Sequence, residues 1–185
     1  NFRNNCHNIK CKTATYESAS YNLCTEYNND NGYYSAQYSD NSFLHGFLEC
    51  YNMINKPSNL FYDSSLKIFK QCYMSCKTCS RAGNGNTHYC LECDDNYIKQ
   101  PDIPDTTNCV MKCNYMYYYT AYGQYKCTTE NTCPEEAKLY IEDLKKCTDD
   151  CSKEGIYKYK YSTKCLKNCP ENTESNEENI CIDIN

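Results

Sequence analysis

Two Cys-x-x-Cys pairs, Cys76/Cys79 and Cys90/Cys93, flank His88 in the stretch CYMSCKTCSRAGNGNTHYCLEC, with ten residues between the pairs. Pairs of this kind support three chemistries: thiolates around a zinc ion, a dithiol that exchanges electrons, or cystines that cross-link the chain. Zinc on all 18 Cys would take about four ions or more at four ligands each. Only three His, His7, His45 and His88, could share that ligation. A thioredoxin-like centre fits less well, because no βαβ pattern surrounds Cys76-Lys77-Thr78-Cys79 and Cys72 lies directly upstream. Cross-linking is the expected use, with no metal and no cofactor.

Composition points the same way. Leu, Ile, Val and Phe number 25 of 185 residues, too few for a conventional core, whereas 18 Cys run from Cys6 to Cys181. That is the make-up of a scaffold held by covalent links, and it places the chain in an oxidising setting, secreted or on a cell surface. Net charge is −5 and Lys is scattered, so no basic stripe offers itself to nucleic acid. No apolar run approaches the roughly 20 residues that span a bilayer. No signal peptide precedes Asn1, so the expectation is a mature or excerpted ectodomain with any anchor outside it. Among 23 Asn there is no Asn-x-Ser/Thr acceptor but only poor Asn-x-Cys variants such as Asn22-Leu23-Cys24 and Asn131-Thr132-Cys133, so little or no N-glycan is expected.

From Cys72 onward the gaps between cysteines run 3, 2, 10, 2, 15, 3, 13, 5, 13, 3, 13, 3 and 11, so that after Cys93 long gaps alternate with short ones. This is an internal repeat. Each long segment reads as a small irregular hairpin, with Gly123, Asp143 and Ser162 as turn residues in three successive loops. Pro134 and Pro170 follow the Cys that opens a unit and fix φ there. In SKEGIYKYKYSTK, Tyr157, Tyr159 and Tyr161 alternate with Lys158 and Lys160, which predicts three rings on one face of a strand. A bond across each hairpin contributes about 3 kcal/mol for a loop near 15 residues and takes the place of a core.

The cluster CYMSCKTCSRAGNGNTHYCLEC followed by Cys-Pro hairpins resembles the furin-like, growth-factor-receptor cysteine-rich repeats, a family also widespread in protist surface antigens. The resemblance covers residues 72–181. It implies a two-bridge knot, Cys72–Cys79 with Cys76–Cys90, and then single-bridge bows: Cys93–Cys109, Cys113–Cys127, Cys133–Cys147, Cys151–Cys165 and Cys169–Cys181. Three features depart from it: five residues between Cys127 and Cys133, the abundance of Tyr, and the option that Cys72 closes on Cys50 instead.

The expected fold is small and disulfide-rich: an elongated array of short β-hairpin modules with one short helix in an N-terminal module. Residues 1–71 form that cap and residues 72–185 the repeat array. Cys6, Cys11, Cys24 and Cys50 admit three pairings; the 12-residue gap favours Cys11–Cys24 as a bow, with Cys6–Cys50 closing around it. Asn31-Gly32 is a hairpin-turn signal. Phe43, Leu44, Phe47, Leu48, Tyr51 and Ile54 recur at helical spacing, predicting a helix over 42–54 that Asn55-Lys56-Pro57 ends. Leu60–Tyr62 and Leu66–Phe69 read as a further hairpin, in the richest apolar patch of the chain. That patch is expected to form a core; the alternative is that Phe43 and Phe47 project as a docking surface.

No catalytic constellation is visible. The expected pairings leave no free Cys, no Ser sits in a G-x-S-x-G setting, and Glu135/Glu136, Asp149/Asp150 and Glu177/Glu178 lie in polar loops. Asp94-Asp95-Asn96 lacks the further ligands of an EF-hand. Tyr, at 21 residues, is the unusual resource, giving large amphipathic contact area at low entropy cost. The expected function is that of an extracellular, non-catalytic surface, adhesion or scaffolding module, not an enzyme. It would bind other proteins or copies of itself, with glycans as a further class, through Tyr117, Tyr119, Tyr157, Tyr159 and Tyr161. Three alternatives stand beside it: a subunit that polymerises into an extracellular fibre, a cohesin-like scaffoldin module that captures enzymes, and a regulatory cysteine-rich domain of a larger receptor or protease.

Overall fold

A computed structural model describes residues 7–40 and 42–184, with backbone alone for residues 7, 8 and 43. It is a small disulfide-rich protein whose strands are two to four residues long and lie in small sheets. Two compact units divide the chain, Asn1–Met111 and Lys112–Asn185.

In the first unit a helical turn at His7–Lys10 leads into β1 (Cys11–Thr13), which pairs antiparallel with β2 (Glu26–Tyr27). Between them lies α1 (Tyr16–Ser20), too short to persist by itself. Thr15 caps it by accepting the Ser18 amide, and the Ser18 hydroxyl accepts the Thr15 amide, a reciprocal capping box. The Cys11–Cys24 disulfide ties this segment together. Asn31-Gly32 does turn the chain, with Gly32 at φ 74°, but it ends a 3-10 turn and does not join two paired strands.

The helix predicted over 42–54 does not form. Ser42–Leu44 makes one 3-10 turn, after which His45 (φ 51°) and Gly46 (φ 79°) take left-handed backbone conformations that a right-handed helix cannot pass through. Cys50–Tyr51 is instead strand β4, paired with β3 (Tyr34–Gln37). The hairpin read at residues 60–69 is present as β5 (Leu60–Asp63) and β6 (Ile68–Gln71), and β6 adds parallel to β3.

Successive residues of β5 face opposite ways. Leu60 packs with Ala36 and Phe69 under Tyr34, Tyr38, Tyr51 and Tyr62, while Phe61 packs on Cys72, Cys76, Cys79, Cys90 and Cys109. One strand thus serves both the N-terminal core and the cystine cluster. For that reason the expected boundary at 71/72 falls inside the first unit, which continues through β7 (Cys76–Cys79), β8 (Cys90–Cys93), β9 (Tyr97–Lys99) and β10 (Cys109–Met111).

The second unit is a ladder of hairpins: β11 (Tyr117–Tyr119) with β12 (Tyr125–Cys127), β13 (Leu139–Ile141) with β14 (Lys146–Thr148), β15 (Tyr159–Tyr161) with β16 (Lys164–Leu166), and β17 (Thr173–Ser175) with β18 (Cys181–Asp183). One rule joins them. The second strand of each hairpin lies parallel to the first strand of the hairpin before it, giving the order β12-β11-β14-β13-β16-β15. The Tyr117 amide donates to the Lys145 carbonyl at 3.1 Å, Tyr140 to Thr163 at 2.9 Å and Lys160 to Asn179 at 2.9 Å. Of the three turn residues expected, Gly123 and Ser162 take positive φ, but in the middle loop that conformation falls on Lys145 because Glu142–Leu144 forms a 3-10 turn.

Candidate functional site

The stretch that poses the zinc question is a knot of cystines. Cys72 joins Cys79, Cys76 joins Cys90 and Cys93 joins Cys109, so none of these sulfurs is a thiolate able to bind metal or attack a disulfide. The later bridges are Cys113–Cys127, Cys133–Cys147, Cys151–Cys165 and Cys169–Cys181. With Cys11–Cys24 they make eight, each closing between cysteines that are neighbours or near-neighbours in sequence.

His88 is buried at the centre of the knot. Its Nδ1 accepts the Cys109 amide at 3.1 Å and lies 3.0 Å from the Ser75 hydroxyl, and its ring stacks on Tyr73 with centroids 4.1 Å apart. Burial holds the imidazole below its ordinary pKa, in the neutral form that can accept that amide. Both Nδ1 partners are structural groups of the knot, so the ring acts as a fastener.

Cys50 is the one described cysteine outside a disulfide. It packs against Cys11 and Cys24, and burial pushes its thiol up to about 11, so at neutral pH it is neither a nucleophile nor a ready metal ligand. Its expected partner, Cys6, lies outside the described residues.

The five tyrosines expected to meet a partner have different settings. Tyr117 is buried, stacked on Tyr125 at 5.3 Å and edge-on to Tyr119 at 6.1 Å. Tyr157 does not continue the strand of Tyr159 and Tyr161. It closes a 3-10 turn, packs on Leu139, Ile141, Cys151 and Cys165, and donates its hydroxyl to Asp143 at 3.1 Å. Tyr161 donates to Asp183 Oδ1 at 3.2 Å. The three rings therefore do not form one continuous face, because Gly155, at φ 59°, starts a turn where alternation alone reads strand.

Tyr119 borders a cleft of about 310 Å³ with Ala121, Glu136, Lys146, Asp149 and Glu154. Within it Lys146 Nζ meets Glu154 Oε2 at 2.6 Å, with about a tenth of either side chain exposed. The ammonium is thereby neutralised. Lys153, also on the wall, pairs with Asp149 at 2.7 Å, so the five charged groups of the lining, Glu136 included, carry one net negative charge.

The most exposed ring of the second unit, Tyr122, is not among the five expected contacts; with Tyr115, Tyr117 and Tyr119 it reads from sequence as a ring that covers disulfides. Tyr122 is 93 % exposed at the tip of the β11–β12 hairpin, directly before Gly123, whose φ of 74° makes the turn. The available signal was its place: a residue beside the turn glycine has neighbours on neither side. Tyr115, half-exposed, lies at the base of the same hairpin, next to the Cys113–Cys127 bridge. No family model, curated protein or solved structure matches the chain.

Proposed function

We propose that this protein is an extracellular, non-catalytic module that works by protein contact, offering aromatic side chains on hairpins clamped by disulfides. The observation that carries this reading is Tyr122: a large amphipathic ring, almost wholly exposed, at the tip of a hairpin whose base is locked by Cys113–Cys127. A clamped hairpin loses little entropy on binding, and Tyr is among the residues over-represented at binding hot spots. Eight disulfides, and the lack among described residues of a helix long and apolar enough to cross a membrane, fit an extracellular or secreted protein. Kinship with the furin-like cysteine-rich repeats is part of the same proposal, supported by a two-bridge knot followed by single-bridge bows.

The test places a photo-reactive benzoylphenylalanine at Tyr122 and, as control, at the exposed Glu130. Irradiation on the surface of source cells should cross-link one defined protein from position 122, competed by excess unlabelled module, and not from 130. Tyr122→Ser should then weaken that complex by roughly 30-fold, the equivalent of about 2 kcal/mol. Equal capture from both positions, or none, overturns the reading.

A further inference from the structure

The first unit holds a groove of about 490 Å³ where the parallel strands β3 and β6 both end. Its walls are the last residues of those strands and the turns that leave them, 37–39 and 70–74, closed by Ala82 and Gly83 of the loop after β7. That volume lies within the range of small-molecule sites, ~300–1,000 Å³. Lys70 is the only charged residue of the described lining, and its ammonium is already 2.9 Å from the Asp63 carboxylate. The groove is therefore neutral, and its polar groups are amides and hydroxyls. Gln71 Oε1 accepts the Ser39 amide at 3.3 Å and the Ser39 hydroxyl at 3.1 Å, which fixes the orientation of the side chain. The N–H bonds of its Nε2 have no partner among the described residues. Gln37, exposed, adds a second amide. The aromatic part of the wall is held as firmly. Tyr73 stacks on His88 with centroids 4.1 Å apart, the Tyr38 hydroxyl donates to Tyr51 at 3.4 Å, and Tyr51 donates to Glu49 at 2.5 Å. Met74, 74 % exposed, adds a thioether chain.

We infer that this groove binds a neutral pyranose residue of a glycan. A pyranose carries apolar C–H faces ringed by hydroxyls that each donate and accept, and it meets here a wall of fixed aromatic rings beside an oriented amide. An ionic ligand gains nothing from an ammonium that is already paired. A wholly apolar ligand would cover the Gln71 N–H groups without satisfying them. An extended peptide is recognised by adding to a sheet edge, but β3 and β6 are the inner strands of the order β4-β3-β6-β5, and the groove opens at their ends. Because the rings and the amide are held in place before a ligand arrives, little side-chain entropy is lost on binding.

The groove belongs to the first unit and Tyr122 to the second, so the loss of either role leaves the other standing. The probes are the methyl glycosides of glucose, galactose, mannose and N-acetylglucosamine, with sorbitol as an open-chain polyol and N-acetyl-tetraalanine amide as a peptide. Each is titrated into the isotope-labelled full chain. At least one glycoside should move the side-chain NH2 signals of Gln71 and the backbone amides of Ser39 and Met74, with a dissociation constant of about 10 mM or tighter. Gln71→Met keeps the length of the side chain and removes its amide. It should preserve the disulfides and the near-ultraviolet spectrum while weakening that glycoside by about tenfold or more. Gln37→Ala, at an exposed position, should weaken it as well, and Tyr122→Ser should not. No shift with any of the glycosides, equal shifts with sorbitol, or glycoside binding that survives both glutamine substitutions overturns the inference. Shifts from the peptide alone would assign the groove to a protein partner and overturn it too.

Discussion

The backbone amide of Cys109 donates a 3.1 Å hydrogen bond to Nδ1 of His88, fastening a bow of the array to the two-bridge knot before it. The imidazole can accept that bond only while Nδ1 is unprotonated.

Stability should therefore fall in mild acid. Burial lowers the pKa of His88 below the 6.5 of an exposed histidine, so the unfolded chain binds a proton at higher pH than the native one. The stabilising contribution is complete above about 6.5 and declines as pH drops toward the lower native value. Denaturant titrations of the oxidised protein between pH 8 and 5 should show this loss. His88→Gln, whose amide oxygen can accept from Cys109, should flatten it, and His88→Ala should cost about 1–3 kcal/mol at pH 8 by stranding the Cys109 amide.

Gly83→Ala should be destabilising although Gly83 has an ordinary φ. An added Cβ would lie 2.4 Å from the carbonyl oxygen of His88, a backbone atom that cannot swing aside. Displacing it shifts the ring and its bond to Cys109, at about 1–3 kcal/mol. Equal denaturation midpoints for variant and parent would contradict this.

Deleting bridges should rank by loop length. In the chain-entropy model the 7-residue closure of Cys72–Cys79 is worth about 2 kcal/mol, and the 16-residue closure of Cys93–Cys109 about 3 kcal/mol. Paired Cys→Ser variants, compared by denaturant unfolding, should follow that order. The reverse order would mean that cystine packing in the cluster around Phe61 outweighs chain entropy.

Lys146→Met should cost about 3–5 kcal/mol, because it leaves Glu154 with its carboxylate nine-tenths buried and without its 2.6 Å partner. Adding Glu154→Leu should recover most of that loss. A double variant no better than the single would show that the pair also sets the packing of Tyr119, over which Lys146 lies at 5.6 Å.

The alternation of long and short cysteine gaps carried the hairpins and, with the resemblance, the cystine partners, because a disulfide across a hairpin base joins residues 12 to 16 apart and leaves its mark in local spacing. The β5–β6 hairpin was legible for the same reason: two apolar runs around Asp63-Ser64-Ser65, where Asp63 Oδ1 accepts the Ser65 and Leu66 amides. The helix over 42–54 was misread because its apolar spacing is also that of residues packing from turns and strands, and the left-handed step at His45-Gly46 has no signature in periodicity. Which tyrosines are buried was illegible. Tyr117 and Tyr122 sit five residues apart in one hairpin, yet Tyr117 is buried against Tyr119 and Tyr125 with β14 beside its strand, while Tyr122 stays exposed at the tip. That parallel pairing joins residues nearly thirty apart through backbone groups, which every residue except proline carries, so cysteine spacing read with the family resemblance gives the covalent frame of the repeat while contacts between hairpins decide which side chains remain on the surface.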